Sequence, residues 1–439
     1  MSKIKGLRSE SIIIYTHKEI HGGTEFMMRT YRFRAYPSNR QISMLDSTLN
    51  LCRDLYNAML EQRIYAYRSG RKVNYRSQQD EIPGIKERFP EYRSIHSLVV
   101  QDVAHRLDKT YDNFYRRIHE RKGNKAKAGF PRFKSKDRYN SITYTQSGFR
   151  ILDNGHVWLS RIGELRVFMH RSVTGAIRTI SIKRDSVGDW FITIICDHEK
   201  GSEHDSWEDQ GNEQPHANSP EFINPTGIDL GLKALITISN GEQIGPPRFL
   251  RKSEKKLKKA QRSLSRKMKG SGKRRKTKTR VAKIHRKIER QRDDFTHKIS
   301  RQLVTEHDLI ALEDLNIAGM IKGHHMAKSI VDASWNRIIR YTTYKAESAG
   351  AVVVPVDPMN TSRRCSRCGS IRKDLKLSDR IYHCNPCGLT IDRDMNAAMN
   401  IRDIGLAKIG RGTPEFTPVE IGALPAMATP VHETGSPLL

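Results

Sequence analysis

The sequence predicts an α/β protein of several domains, and three observations point there. The chain has 439 residues, more than one compact core usually holds, so two or three domains are expected. Stretches whose apolar residues recur every three or four positions alternate with stretches in which they recur every second position, the signatures of helices and strands. Four of the six cysteines fall in two C-x2-C pairs, leaving Cys52 and Cys196 outside, a usage that suits a metal in a reducing compartment rather than disulfides.

Charge narrows the class of partner. There are 78 Lys and Arg against 48 Asp and Glu, a net charge of +30 with a pI near 10.0. An excess of that size calls for a polyanion, and nucleic acid is favoured over an anionic membrane. Hydrophobic residues make up 37% of the chain, enough for cores. The longest apolar runs, such as GAVVVPV, fall short of the roughly 20 residues that span a bilayer. SIIIY near the N-terminus has no cleavage-site pattern after it, so no secretory signal is expected, and the chain is expected in the cytoplasm, associated with the nucleoid.

Residues 1–27 show no periodicity and read as a disordered extension, with Met27 and Met28 as candidate start residues. RTYRFRAY alternates Tyr31, Phe33 and Ala35 with Arg32 and Arg34, a half-buried strand. Pro37-Ser38 opens a helix carrying Ile42, Leu45, Leu49, Cys52, Tyr56 and Met59 at helical spacing up to Gly70. A second helix carries Leu98, Val99, Val103, Leu107, Tyr111, Phe114 and Ile118, so residues 38–124 form a helical unit. From GFPRFKSKDRYNSITY onward the period is that of strands, with a hairpin turn at Asn154-Gly155 and two strands in RTISIKRDSVGDWFITIIC. Residues 28–37 and 125–196 then make a small β-domain that the helices interrupt, and the acidic, polar residues 197–225 read as a linker.

TGIDLGLKALITISNGEQI reads as two strands joined at Asn240-Gly241. Next comes the most basic segment: residues 251–300 hold 22 Lys and Arg against 4 Asp and Glu, a net of +18. Leu257, Leu264 and Met268 form one apolar stripe and Val281, Ile284, Ile288, Phe295, Ile299 and Leu303 another, so residues 251–305 read as a helical hairpin broken at GSG. Its Lys255, Lys256, Lys259, Arg262, Arg266, Lys273, Arg274, Arg275 and Lys276 are candidate phosphate contacts, as are Arg132 and Lys134 in the β-domain. HDLIALEDLNI is a buried strand ending in acids, WNRIIRYTTYKAESAG a helix with a Gly stop, and AVVVPVDP another buried strand. The cysteine segment 361–388, a short helix in DMNAAMNIRDIG and a disordered tail over 406–439 complete the chain.

Cys365, Cys368, Cys384 and Cys387 make C-x2-C-x15-C-x2-C, the spacing of a four-cysteine zinc ribbon. One zinc ion with all four positions filled by thiolate is structural and chemically closed. His383 competes as a ligand only weakly, and an iron–sulfur cluster is the alternative metal. Carboxylates need a different metal: Asp229 in GIDLGLKAL, with a glycine on each side that admits close backbone approach, Glu313 at the end of IALE, and the Asp392-x-Asp394 pair. Singly, an acid at a strand end is an ordinary terminus. Their order is what carries weight: strand acid, hairpin, long insert, strand acid, helix, strand, then an acid on a helix. That order matches an RNase H-like fold, in which three carboxylates hold two Mg2+ ions about 4 Å apart and hydrolyse a phosphodiester. Asp229, Glu313 and one of Asp392 or Asp394 are the candidates, with Asp394 favoured because Asp392 belongs to the approach from the ribbon. Phe130, Phe133, Tyr139 and Tyr144 fit base stacking and fit a β core equally well. GSGKRRKT resembles a phosphate loop but has Arg274 where Ser or Thr must hold magnesium, and His324-His325 lacks partners at any useful spacing.

GIDLGLKAL, LEDLNI, CSRCG, CNPCG and DRDMNAAMNI, in that order, resemble the transposon-encoded TnpB (OrfB) proteins, relatives of type V CRISPR effectors, and YRFRAYPSNRQ and KAGFPRFKSK extend the likeness over about residues 28–405. The resemblance implies an RNA-guided DNA endonuclease with a guide RNA from the transposon end, cutting double-stranded DNA beside a short target-adjacent motif; the oligomeric state stays open, with a monomer favoured. It implies a RuvC-type nuclease domain (226–360 and 389–405) with the ribbon inserted, and an N-terminal β-barrel wedge domain carrying a helical recognition insert. Its acid triad falls on Asp229, Glu313 and Asp394. A guided repressor without cleavage and a strand-transferring transposase are the competing readings.

Overall fold

The computed structural model describes residues 19–21, 24–119, 129–199, 222–322, 326–376 and 378–410. Most of the N-terminal extension, most of the acidic linker, residues 120–128, the His324-His325 pair and the tail from 411 lie outside them. The chain divides into two units, Met1–Gly211 with Leu250–Asp294 and Asn212–Phe249 with Phe295–Leu439.

In the first unit, β1 (Glu19–His21) pairs with β2 (Thr24–Tyr36), where Tyr31, Phe33 and Ala35 are buried as their alternation with arginine requires. Ser38 and Gln41 form a reciprocal capping box, with hydrogen bonds of 3.3 and 2.9 Å, that starts α1 (Asn39–Arg68). Two short helices, α2 (Tyr75–Asp80) and α3 (Ile82–Arg88), and a 3-10 turn (Pro90–Ser94) lead to α4 (Ser97–His119), which packs on α1. Strands β3 (Ser141–Thr145), β4 (Phe149–Leu152), β5 (His156–Leu159), β6 (Gly163–Phe168), β7 (Ala176–Arg184) and β8 (Trp190–Glu199) join β2 in a near-barrel antiparallel sheet of order β3-β7-β8-β2-β6-β5-β4. One hydrophobic core unites its buried face with the inner faces of α1 and α4.

The second unit is built on a five-stranded sheet of order β11-β10-β9-β12-β13. Its strands are β9 (Pro225–Leu230), β10 (Ile236–Ile238), β11 (Gln243–Ile244), β12 (Leu309–Glu313) and β13 (Val352–Val356). β9, β12 and β13 run parallel, β10 pairs antiparallel with β9, and β11 pairs antiparallel with β10. The basic segment forms α5 (Phe249–Ser265) and α6 (Gly272–Glu306), of which Leu250–Asp294 belongs to the first unit rather than to this one; α7 (Ile317–Lys322), α8 (Ala327–Ala333) and α9 (Trp335–Ala349) follow β12. Gly350 closes α9 in the left-handed conformation, at φ 74°. β14 (Ile381–His383) and β15 (Thr390–Asp392) form a separate hairpin, and α10 (Arg393–Gly410) ends the described chain. Ile228, Leu230, Ile310 and Leu312 face a core completed by Trp335 and Ile338 of α9, while Leu309, Ala311, Val354 and Val356 face Ile401 of α10.

Several boundaries differ from the sequence reading. β2 begins at Thr24, ahead of residue 28, because β8 extends to Glu199 and supplies it with a ladder partner from Phe26 on; this also takes residues 197–199 from the linker. The stretch after residue 225 holds three strands rather than two, since Gly231 donates its N–H to the Leu235 carbonyl and turns the chain between β9 and β10. Residues 390–392 pair with β14 and so belong to the cysteine segment, not to the sheet. α10 continues to Gly410 instead of ending near 405, because Leu406 and Ile409 still pack on the sheet core.

Candidate active site and cysteine cluster

Asp229 and Glu313 meet through strand register. β9 and β12 are parallel and pair through Ile228–Leu312, so each acid is the next residue beyond the last paired position, at the same end of the sheet. Side chains alternate along a strand, so Asp229 shares a face with Gly227, and Glu313 shares a face with Ala311. That face lies under α10. A Cβ on Gly227 would sit 2.1 Å from the Ala398 carbonyl oxygen and 2.4 Å from the Arg402 nitrogen, and one on Gly405 would sit 2.6 Å from the Ala311 Cβ. Two glycines therefore let the helix backbone rest directly on the sheet. With Ala398 over Gly227, Asp394 lies one turn nearer the acid end.

The electrostatics register this convergence. Asp229 is pushed up to about 8, first by burial and then by the Glu313 and Asp394 carboxylates, with Arg393 pulling the other way. Glu313 is raised by burial, against the hydrogen bond that its Oε1 accepts from Thr361 Oγ1 at 2.6 Å. Asp394 holds Arg393 at 3.1 Å and Arg380 at 3.9 Å. Asp392 serves the helix instead, since its Oδ1 accepts the backbone N–H groups of Asp394 and Met395 at 3.0 and 3.1 Å, capping α10. Asp229 and Glu313, each with a suppressed tendency to ionise, and the neighbouring Asp394 carboxylate are the residues here that could hold a hard divalent cation.

The four cysteine sulfurs lie within 4.8 Å of one another, the one such His/Cys/Asp/Glu group among the described residues. Cys365 and Cys387 are 3.6 Å apart, and Cys368 and Cys384 3.5 Å. Ser370 Oγ stands 3.1 Å from Cys368 and 3.2 Å from Cys384, and with its backbone holds the Cys368 thiol down at about 6, so that a thiolate is available at neutral pH. His383 turns to Thr390 instead, its Nδ1 2.9 Å from Oγ1.

Sequence reasoning missed Thr361, Asn396 and Asn400. All three are buried, and the asparagines sit four residues apart on a helix face otherwise made of Ala397, Ala398 and Ile401. Two amides on an apolar stripe were the available signal.

The candidate cationic residues divide. Lys255, Lys256, Lys259, Arg262, Arg266, Lys273, Arg275 and Lys276 are exposed, as is Arg132. Arg274 instead donates to the Leu264 and Lys267 carbonyls at 2.8 and 2.9 Å, tying α6 to the end of α5. Lys134 lies over the Tyr56 ring at 5.5 Å, and burial lowers its proton affinity. Of the four aromatics, Tyr139 and Tyr144 are core, whereas Phe130 and Phe133 are 48% and 53% exposed.

Comparison with known proteins gives these features a lineage. The chain is 32% identical over 387 residues to a "Putative RNA-guided DNA endonuclease" of Streptomyces pristinaespiralis, covering 86% of this chain and 90% of the relative. Residues 209–323 match the OrfB_IS605 family model, described as "Probable transposase". The chain belongs to the TnpB (OrfB) family. Another relative, "Putative RNA-guided DNA endonuclease InsQ" of Escherichia coli (strain K12), is 27% identical over 88% of this chain and 94% of its own length. A shorter match, 33% identical over 134 residues, 29% of this chain and 31% of the relative, is to "CRISPR-associated endodeoxyribonuclease Cas12f1" of Sulfoacidibacillus thermotolerans. Residues 335–401, which hold α9, the cysteine cluster and the start of α10, match a "Cas12f1-like, TNB domain". Residues 27–72 match a family segment described as "Helix-turn-helix domain", and in this TnpB (OrfB) chain that stretch is most of β2 followed by the single helix α1.

Proposed function

We infer that this chain is an RNA-guided DNA endonuclease of the transposon-encoded type. The observation that carries the chemistry is the convergence of Asp229, Glu313 and Asp394 at one end of a sheet, with burial and mutual repulsion raising the proton affinity of Asp229 to about 8. The guidance by RNA and the DNA substrate rest on the names of relatives that span most of the chain.

The mixed sheet of the second unit, with an acid at the ends of β9 and β12 and a third on α10, supports an RNase H-like (RuvC) nuclease domain. The near-barrel sheet and its helices support a wedge domain (28–37, 125–196) with a helical recognition insert (38–124). No described helix is long and apolar enough to cross a membrane.

Two metals fit the residues. Four thiolates on a tetrahedral zinc ion at 2.3 Å stand about 3.8 Å apart, and the observed sulfur spacings of 3.5 and 3.6 Å come close to that. Cys365, Cys368, Cys384 and Cys387 would hold it as a structural ribbon. Asp229, Glu313 and Asp394 would hold Mg2+, two ions on the two-metal reading, which supply Lewis acidity and an activated water for phosphodiester hydrolysis. The chain's own part is to fix three carboxylates before metal arrives: strand register places two, the Asp392 cap and the glycine-seated helix place the third, and Thr361 orients Glu313. The exposed lysines and arginines of α5 and α6 supply positive charge for RNA or DNA phosphates.

The test is to express the chain with its flanking DNA, sequence the RNA that co-purifies, and challenge a matching plasmid. Cutting that tracks the guide and stops in EDTA is expected. Target binding without cutting would establish a guided repressor, joined products a transposase, and absence of bound RNA would refute the reading.

A further inference from the structure

A buried hydrogen-bonded strap runs between Glu313 and the four-cysteine cluster. Thr361, 2% exposed, donates from Oγ1 to Glu313 Oε1 at 2.6 Å. Its carbonyl accepts from Asn400 Nδ2 at 2.8 Å, and the same amide donates its second proton to the Arg364 carbonyl at 2.7 Å. Asn396 Nδ2 donates to that Arg364 carbonyl at 2.7 Å, while Asn396 Oδ1 accepts from the Ser366 backbone N–H at 3.0 Å. Cys365, the first cysteine of the cluster, is thus clamped on both sides to α10, the helix that carries Asp394 in its first turn. Tyr382 Oη, on β14 just before the second cysteine pair, donates to the Arg363 carbonyl at 3.0 Å. Thr361, Asn396 and Asn400 are themselves buried, where such networks are stiff and a lost partner is costly.

We propose that Thr361, Asn396 and Asn400 are positioning residues that couple occupancy of the four-cysteine site to cation binding at Asp229, Glu313 and Asp394. A metal holding Cys365 fixes one end of the strap. The other end then presents Glu313 in one orientation, with Oε1 hydrogen-bonded and the other oxygen left for a cation. Without that metal the knuckle around Cys365 loosens, the Asn396 and Asn400 bonds exchange, and the Glu313 carboxylate loses its fixed direction. The proposal rests on the acids being a divalent-cation site.

The experiment titrates the full chain with Mn2+, a paramagnetic stand-in for Mg2+, and reads binding by electron paramagnetic resonance, with zinc loaded or removed by chelation and dialysis. Circular dichroism follows the fold in each sample. Removing zinc is expected to weaken Mn2+ binding by about 10-fold or more, and Thr361→Val to do the same in zinc-loaded protein, the range seen when a ligand's outer partner is lost. Thr361→Ser restores the hydroxyl and should restore affinity, which a purely structural role for the side chain does not predict. If zinc removal unfolds the chain, the zinc-loaded Thr361 variants decide alone. Unchanged Mn2+ affinity in Thr361→Val overturns the proposal. Asp229→Ala separates the two levels: if it leaves Mn2+ binding intact, the acid site itself has been misassigned and the coupling falls with it.

Discussion

Asp229 carries the largest consequence at the scale of single residues. In the folded chain without metal it keeps its proton up to about 8, against 3.8 for a free carboxyl. Between those values the folded state binds more protons than the unfolded state, so folding stability falls as pH rises through that window. Thermal unfolding in EDTA should therefore show a melting temperature that declines across it, and Asp229→Asn should flatten the decline. Mg2+ should raise the melting temperature more at the alkaline end, where cation binding no longer has to displace the proton. A profile with no dependence on Asp229 would mean that its carboxylate is neither buried nor crowded as described. Asp392 gives a contrasting expectation. As a helix cap its replacement by Ala should cost about 1 kcal/mol of stability, whereas Asp392→Asn should retain both cap and cutting; loss of cutting in Asp392→Asn would make Asp392 a metal ligand.

At the scale of elements, α10 is seated by glycines. Gly227→Ala would press a methyl group to 2.1 Å from the Ala398 carbonyl, on a helix backbone that cannot give way alone. Denaturant unfolding should show a loss of about 3 kcal/mol, the upper range of core overpacking, with cation binding lost alongside because Asp394 moves with the helix. Full stability in Gly227→Ala would contradict the close seating of α10. This element was partly legible in the sequence. Glycines beside Asp229 announce a close backbone approach, and the alternation of Tyr31, Phe33 and Ala35 announces β2, because local residue types alone set those features. The hairpin of α5 and α6 was legible for the same reason. The strap was not, because the bond from Thr361 to Glu313 spans 48 residues and exists only once β12 and β13 have paired. Nor could composition reveal that Arg274 ties a turn while Lys255 faces solvent, since both are simply basic residues in a basic run.

Across the whole molecule, charge outweighs every other feature. Residues 251–300 carry a net +18, and their exposed cations should release counterions when they meet a nucleic-acid backbone. Replacing Lys255, Lys256 and Lys259 together with Ala should weaken RNA binding and lower the slope of log affinity against log salt by about 2, at roughly 0.7 per phosphate contact for a single strand. Arg274→Ala should instead destabilise the hairpin with a smaller change in slope. An unchanged slope in the triple variant would place the RNA elsewhere on the chain. The second unit brings acids from two adjacent strands and one helix to one end of a sheet. The most direct measurement compares the guide-loaded wild type with Asp229→Ala on one matched target, recording binding and Mg2+-dependent cleavage in the same samples. Binding kept and cleavage lost is the predicted result; cleavage that survives Asp229→Ala would contradict the assignment of the acids as the catalytic centre.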